Sequence, residues 1–362
     1  MESKAVFKLS DPFLAFVLSS RPSDSQKLES SILSLKGLDR PEDVPTACFF
    51  KEEKIEGEEI ICREFKMPKK DGSNLFKAVL CRELPVRIGD FEDKKKIFDA
   101  KKFFHLLCTK DYGRNLFYAK HSTSTQVVLN SSLPLFGCDG LVFLTDKQTQ
   151  GKGRGHNVWT SPEGCLMFSM RLIETDGTKL AMLQYLVVLA LVKALKDFPF
   201  SQELPVAIKW PNDLYINSNV KLGGILCQST FWEGKFLVTV GVGINLDNEE
   251  PTTSVNKVLR EMRKDDEKIW REDLLASFFN KFEEMLHVFQ KEGFSPFMKD
   301  YISNWLHSAQ ELTLEDDTKV VVEGITEFGY LLASDKQGQT YELHPDGNSL
   351  DFFKGLLKKK IN

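Results

Sequence analysis

KWPNDLYINSNVKLGGILCQSTFWEGKFLVTVGVGINL, Lys209 to Leu246, holds three β-branched, apolar segments in close succession: DLYIN (Asp213–Asn217), KLGGILCQSTF (Lys221–Phe231) and FLVTVGVGINL (Phe236–Leu246). Such segments bounded by turn residues read as strands. Ser218-Asn219 offers turn chemistry between the first two, which predicts an antiparallel hairpin. Pro211 denies a sheet ladder its donor and fixes φ, so the chain bends at KWPNDL and projects Lys209, Asn212 and Asp213 around a tight turn. Gly223 and Gly224 weaken a strand interior, and the usual reason is close approach by another backbone or a ligand. In the hairpin, Lys221 falls near the bend at Asp213. GVGIN (Gly241–Asn245) adds a further glycine-rich strand to the same floor.

Upstream, LFYAK (Leu116–Lys120), GLVFLTD (Gly140–Asp146), CLMFSMRL (Cys165–Leu172) and VAIKW (Val206–Trp210) also read as strands. Leu180 to Asp197 is apolar nearly all round, interrupted by Gln184 and Lys193, and reads as a helix buried against that sheet rather than a membrane span. Glu272 to Lys291 carries a Phe-rich stripe at helical spacing, a core pattern. Phe91 to Leu107 reads as an amphipathic helix or solvated linker. After Trp305, four short segments (Gln310–Leu314, Lys319–Gly324, Tyr330–Ala333, Gln339–Leu343) between polar turns predict a small β-barrel, and the terminal Lys run reads as a solvated helix end. Ala5–Leu9, Phe13–Leu18 and Ala78–Leu80 are candidate elements of an accessory region that holds no catalytic pattern.

Between two of these strands lies QTQGKGRGHNVW, Gln148 to Trp159. Gly151, Gly153 and Gly155 interleave with Lys152 and Arg154, which gives a backbone able to approach an anion and two cations to hold it. His156 stands where a dinucleotide fingerprint needs its third glycine, and the Walker pattern is absent. A flexible surface connection has the same composition. A cation and a carboxylate on adjacent strand ends, facing two further cations, suggest phosphoryl or nucleotidyl transfer to or from an anionic substrate. None of the six histidines belongs to H-E-x-x-H, and there is no G-x-S-x-G elbow. Cys165 and Cys227 lie in apolar strand runs, where cysteine is commonly structural.

Composition bounds the rest. The 362 residues allow two or three domains, and 42% hydrophobic with 28% charged residues argues against wholesale disorder. A net charge of −4, from 48 basic against 52 acidic residues, gives no global pull toward nucleic acid or an anionic membrane. Seven cysteines without a C-x-x-C pair point to a reducing compartment, and the cytoplasm is expected. The first twenty residues show neither a secretory signal nor an Arg-rich transit pattern. No basic recognition helix appears, so DNA binding is not expected.

STQ (Ser124–Gln126), QTQGKGRGHNVWTSPEGCLMFS (Gln148–Ser169), KWPNDLYIN (Lys209–Asn217), KLGGILCQST (Lys221–Thr230), GVGINLDNEEPTT (Gly241–Thr253) and HPDGNSLDFFKG (His344–Gly355) follow one another in an order that resembles the biotin protein ligases, in their eukaryotic, plant-like holocarboxylase synthetase form. The resemblance runs from about Leu116 to the C-terminus. Bacterial members read GRGRxGR in the first loop, so Lys152 replaces an arginine here without loss of charge.

The resemblance implies an α+β fold: a central mixed or antiparallel sheet with packed helices, class II synthetase-like, at 96–305, a C-terminal SH3-like small β-barrel at 306–362, and an accessory region at 1–95. It implies ATP and biotin as substrates with Mg²⁺, formation of biotinyl-5′-AMP, and transfer to a lysine on the biotin carboxyl-carrier domain of a carboxylase. By the same resemblance Lys221 bridges the biotin carboxylate and α-phosphate. Arg154 and Lys152 clamp the anions, with Gly151 and Gly153 shaping their loop, and Trp159 faces adenine. Ser124, Thr125 and Gln148 bond the ureido ring. Asn212 and Asp213 order the phosphates or Mg²⁺, with Asp213 as the metal ligand, while Asn245 contacts the adenylate; Lys209, Gly223 and Gly224 are counted with the substrate-binding residues. Lipoate ligases share the fold and remain the enzyme alternative; a ligase that is also a DNA-binding repressor, or a silent biotin sensor, is the alternative of another class.

Overall fold

A computed structural model describes residues 98–131, 139–155, 157–314 and 316–344, together with strands at 14–19, 52–54, 61–68, 74–81, 348–351 and 356–359. Four strands come from the first hundred residues: β1 (Leu14–Ser19), β2 (Glu52–Lys54), β3 (Ile61–Pro68) and β4 (Asn74–Cys81). Then follow β5 (Asn115–Ser122), β6 (Leu141–Gln148), β7 (Gly151–Lys152), β8 (Val158–Trp159), β9 (Cys165–Glu174), β10 (Val206–Lys209), β11 (Asp213–Ile216), β12 (Val220–Trp232) and β13 (Lys235–Asn245). All but β7 and β8 join one mixed sheet in the order β10-β11-β12-β13-β9-β6-β5-β1-β4-β3-β2, with β5–β6 and β1–β4 parallel. The Ala5–Leu9 run lies outside the described residues.

Period-2 alternation sorts the two faces of this sheet. Leu166, Phe168, Met170 and Leu172 of β9 and Val238, Val240, Val242 and Ile244 of β13 enter the hydrophobic core. They pack toward the helices Leu180–Leu195 and Arg271–Glu292, which also pack on each other. Twelve of the sixteen residues of Leu180–Leu195 are buried, so its length and apolarity serve the interior of the protein. At roughly 1.5–3 kcal/mol per buried large aliphatic side chain, this helix is a principal source of stability. The Phe stripe of Arg271–Glu292 behaves as its spacing predicts, with Phe278, Phe279, Phe282 and Phe289 fully buried. The opposite face carries the complementary residues of β9 and β13, among them Ser169, Gly241, Gly243 and Asn245, and the short helix Thr125–Ser131 packs against these two strands.

One expectation is resolved and two change. Of Phe91–Leu107 the described residues begin at Phe98 and form a helix at Ala100–Leu106, the first of the two readings, with Phe98 and Phe103 buried in the core, so they are not a solvated linker; 91–97 lie outside the described residues. The turn between β11 and β12 uses Asn217 and Ser218, both with positive φ, at its centre, one residue earlier than expected. Asparagine tolerates that left-handed region better than most residues. The Lys run does not end a helix: Leu356–Lys359 forms a strand.

That strand closes the list of a second, six-stranded sheet built from β14 (Glu311–Thr313), β15 (Lys319–Ile325), β16 (Leu331–Asp335), β17 (Thr340–Leu343), β18 (Asn348–Asp351) and β19 (Leu356–Lys359), ordered β17-β16-β15-β14-β19-β18. The four strands expected after Trp305 are its first four.

Candidate active site

A cavity of about 400 Å³ opens on the face of the large sheet opposite the helical core. The alternation that buries Val240, Val242 and Ile244 brings Gly241, Gly243 and Asn245 to its floor. The two glycines leave room that side chains from elsewhere occupy. A Cβ on Gly243 would lie 2.7 Å from Trp159 Cε2, and one on Gly241 would lie 2.4 Å from Gln126 Oε1. Trp159 and Gln126 therefore sit where an alanine floor would exclude them.

At one end stands the pair Lys221 and Asp213, with Nζ 2.8 Å from Oδ2. Asp213 and Gly224 are register partners across β11 and β12, and the ladder shifts between Leu214 and Tyr215. A Cβ on Gly224 would lie 2.9 Å from Asp213 Oδ1 and 3.5 Å from Lys221 Nζ, so this glycine makes the space in which the pair meets. Gly223 allows a backbone approach instead: its Cβ would lie 2.7 Å from the Gly243 carbonyl oxygen. Lys221 Nζ is also 6.0 Å from the Trp159 ring centre, at the outer range of a cation–π contact.

The glycine-rich loop forms a two-stranded ribbon on the rim. Its ladder pairs Gly151 with Trp159 and Lys152 with Val158, and the Gly153 N–H donates to the Asn157 carbonyl at 2.9 Å. A Cβ on Gly151 would come within 2.4 Å of the Trp159 carbonyl oxygen. Gly155, with φ +61°, belongs to the turn. Lys152 and Arg154 are exposed, and both line the cavity. His156 lies outside the described residues. Among the described lining residues there are three cations, Lys152, Arg154 and Lys221, against one carboxylate, Asp213. The cavity thus favours an anion by Coulomb attraction on the order of a few kcal/mol per close pair.

The other end is neutral and polar. The backbone N–H of Thr125 donates to Gln148 Oε1 at 2.8 Å, and Gln148 Nε2 donates to Ser161 Oγ at 3.1 Å. Ser124 is 1% exposed, and its hydroxyl has no partner. A buried, unpaired hydroxyl costs about 1–3 kcal/mol, which marks this end as built to bond something further. Asn245 Oδ1 accepts from the Cys165 thiol at 3.4 Å, and its Nδ2 donates to Thr252 Oγ1 at 3.3 Å. Burial pushes the Cys165 and Cys227 thiols up to about 12, so both are protonated near neutrality and neither is a nucleophile.

Of the residues singled out from sequence, the structure brings Ser124, Thr125, Gln148, Lys152, Gly153, Arg154, Trp159, Asp213, Lys221, Gly224 and Asn245 to one cavity. Gly151, Gly223 and Asn212 stand behind its walls. Asn212 is 1% exposed and bonds the Ile225 carbonyl, so it holds the bend together. Lys209 departs from expectation. It lies opposite Asp213 on the outer strand β10, and its Nζ turns to Tyr215, 3.5 Å from the hydroxyl and 5.2 Å from the ring centre. One strand spacing, about 4.8 Å, separates it from the cavity edge. Gln126 was not singled out as a site residue; Gly243 was read only within GVGIN, whose G-x-G-x-N alternation puts it on the floor.

A family model described as the Biotin/lipoate A/B protein ligase family matches residues 117–245. The chain is 44% identical over 283 residues to Biotin–protein ligase 1, chloroplastic, of Arabidopsis thaliana, covering 75% of this chain and 76% of that protein. It is 32% identical over 274 residues to the biotin–protein ligase of Homo sapiens, covering 73% of this chain and 38% of the human protein. Among solved structures, the biotin protein ligase from Aquifex aeolicus in complex with biotin and ATP is similar with a TM-score of 0.51 at 27% identity, over 63% of this chain and 94% of that one. The chain belongs to the biotin–protein ligases.

Proposed function

We propose that this protein activates biotin with MgATP and transfers it to the ε-amine of a lysine on a carboxylase carrier domain. The observation that carries this reading is a single cavity with a cationic end and a neutral, hydrogen-bonding end, within the roughly 300–1,000 Å³ range of small-molecule sites. In the first step a biotin carboxylate oxygen bonds to the α-phosphorus as the bond to pyrophosphate breaks. In the second, the lysine nitrogen bonds to the acyl carbon, AMP leaves, and the amine proton is lost. Bringing two anions together requires cations at the point of contact, and Lys221 is placed for that. Arg154 and Lys152, on a ribbon free to close, hold the phosphates and exclude water from the acyl-adenylate. Trp159 supplies an aromatic face for adenine.

At the neutral end the free Ser124 hydroxyl suits a ring carbonyl, and the Thr125 oxygen suits a ring N–H. No group of three ligating side chains exists among the described residues, so a resident metal cage does not fit. Mg²⁺ would belong to the nucleotide substrate, and Asp213, the one carboxylate among the described lining residues, would be the group to meet it. Cys108, Cys165 and Cys227 are free thiols, which accords with a cytoplasmic protein. Balanced charge speaks for a protein acceptor rather than DNA.

The test is pyrophosphate exchange with biotin and with lipoate, followed by mass spectrometry of a carrier domain after incubation with biotin and MgATP. Exchange with biotin and a gain of one biotinyl group on one lysine are expected; exchange with lipoate alone would overturn the reading.

A further inference from the structure

Behind the neutral end runs a chain of side chains whose donors and acceptors can be assigned atom by atom. The Thr125 backbone N–H can only donate, so the Gln148 atom it meets at 2.8 Å is the amide oxygen. The Thr239 carbonyl can only accept, so the Gln126 atom 3.1 Å from it is the amide nitrogen, which also donates to Gln228 Oε1 at 3.1 Å. Gln126 Oε1 therefore faces Ser169 Oγ at 3.3 Å, in the space left by the absent side chain of Gly241. Ser169, fully buried on β9, also lies 2.8 Å from Thr125 Oγ1. Thr125 Oγ1 has Gln148 Oε1 at 3.3 Å on its other side.

Two proton arrangements satisfy this chain. In one, Ser169 donates to Thr125 and Thr125 to Gln148; in the other, Thr125 donates to Ser169 and Ser169 to Gln126. In both, the Thr125 proton is consumed inside the wall, and its oxygen offers only lone pairs to the cavity.

We propose that Ser169 and Gln126, which do not belong to the site predicted from sequence, are positioning residues that hold the Thr125 oxygen as a hydrogen-bond acceptor for a ring N–H of the acid substrate. The inference rests on biotin being that acid. Without Ser169, only the long contact to Gln148 restrains the Thr125 hydroxyl, whose proton is then free to face the incoming N–H. Ordering one such side chain on binding costs about 0.5–1.5 kcal/mol, a two- to tenfold loss of affinity.

Wild-type protein, Ser169→Ala and the near-isosteric Ser169→Cys are compared in adenylate formation. Ser169→Ala is expected to raise the KM for biotin two- to tenfold with kcat and the KM for ATP unchanged, because the contact is remote from the reacting carboxylate. Ser169→Cys, which retains a weak donor, falls between. The same variants are then assayed with a biotin analogue whose ring N–H groups are replaced in turn by oxygen. For the analogue lacking the N–H that meets Thr125, Ser169→Ala should cost no further affinity, since nothing remains to be received. Equal losses for biotin and both analogues, a change confined to kcat, or an unchanged biotin KM would overturn the proposal. Gly241→Ala, whose Cβ would displace the Gln126 oxygen, is expected to reproduce the biotin-specific loss by another route. If the wild-type protein forms no adenylate with biotin, the functional reading fails instead, before the variants are compared.

Discussion

Lys221 and Asp213 illustrate how little an ion pair at a cavity mouth says about stability and how much about chemistry. Their side chains are 41% and 19% exposed, so the 2.8 Å contact contributes at most about 1 kcal/mol to folding. Lys221→Ala should therefore keep the fold, with a melting temperature within a few degrees of wild type. Pyrophosphate exchange, by contrast, should fall by about 10²–10³-fold, the usual cost of losing a preorganised group at developing charge. Near-normal exchange in a folded variant would remove Lys221 from the reaction. Gly243→Ala makes a complementary case, because its Cβ would lie 2.7 Å from the Trp159 ring, which must move. If Trp159 stacks on adenine, the KM for ATP should rise severalfold while the KM for biotin stays constant, and nucleotide titration of tryptophan fluorescence would report the same shift.

At the scale of elements, the β7–β8 ribbon is tied by a short ladder and by backbone bonds across Gly153 and Asn157, while its charged side chains stand in solvent. Between Lys152 and Val158 none of the described residues is buried, which is the composition of a tip that opens at low cost. Arg154→Gly should loosen retention of the acyl-adenylate: labelled intermediate should leave the enzyme faster and label bystander lysines. An unchanged dissociation rate would argue against closure of the ribbon. The hairpin of β11 and β12 was legible in the sequence, because β-branched runs, glycine and asparagine are local signals. The G-K-G-R run declared its cations, and G-V-G-I-N its floor. The placement of Lys209 was not legible, because nothing local to KWPNDL says that β10 is an edge strand one spacing too far out. Gln126 was equally hidden, since its role depends on meeting Gly241 and Ser169 across the sheet.

At the scale of the molecule, the bend that precedes Asp213 is gripped by residues far along the chain. His307 Nε2 accepts the Trp210 backbone N–H at 2.9 Å across 97 residues, and the Trp210 indole donates to the Gly329 carbonyl at 3.2 Å across 119. Tyr185, from the buried helix Leu180–Leu195, donates to the same carbonyl at 2.6 Å. These bonds join the second sheet to the active-site turn, and sequence periodicity carries no trace of them. His307 must be unprotonated at Nε2 to accept, leaving the Nδ1 proton for Gln310 Oε1 at 2.7 Å. Burial, above all, and nearby Lys209 lower its pKa from 6.5 to about 4, against a raising effect from Gln310. The unfolded chain therefore binds a proton between those values that the folded chain does not. The stability so linked is fully present above about pH 6.5 and is lost as pH falls toward 4, by about 3 kcal/mol in total. Urea midpoints at pH 7 and pH 4.5 should fall less in His307→Gln than in wild type, although the variant is the less stable at pH 7. Equal pH dependence in the two proteins would show that His307 titrates normally and does not clamp the turn.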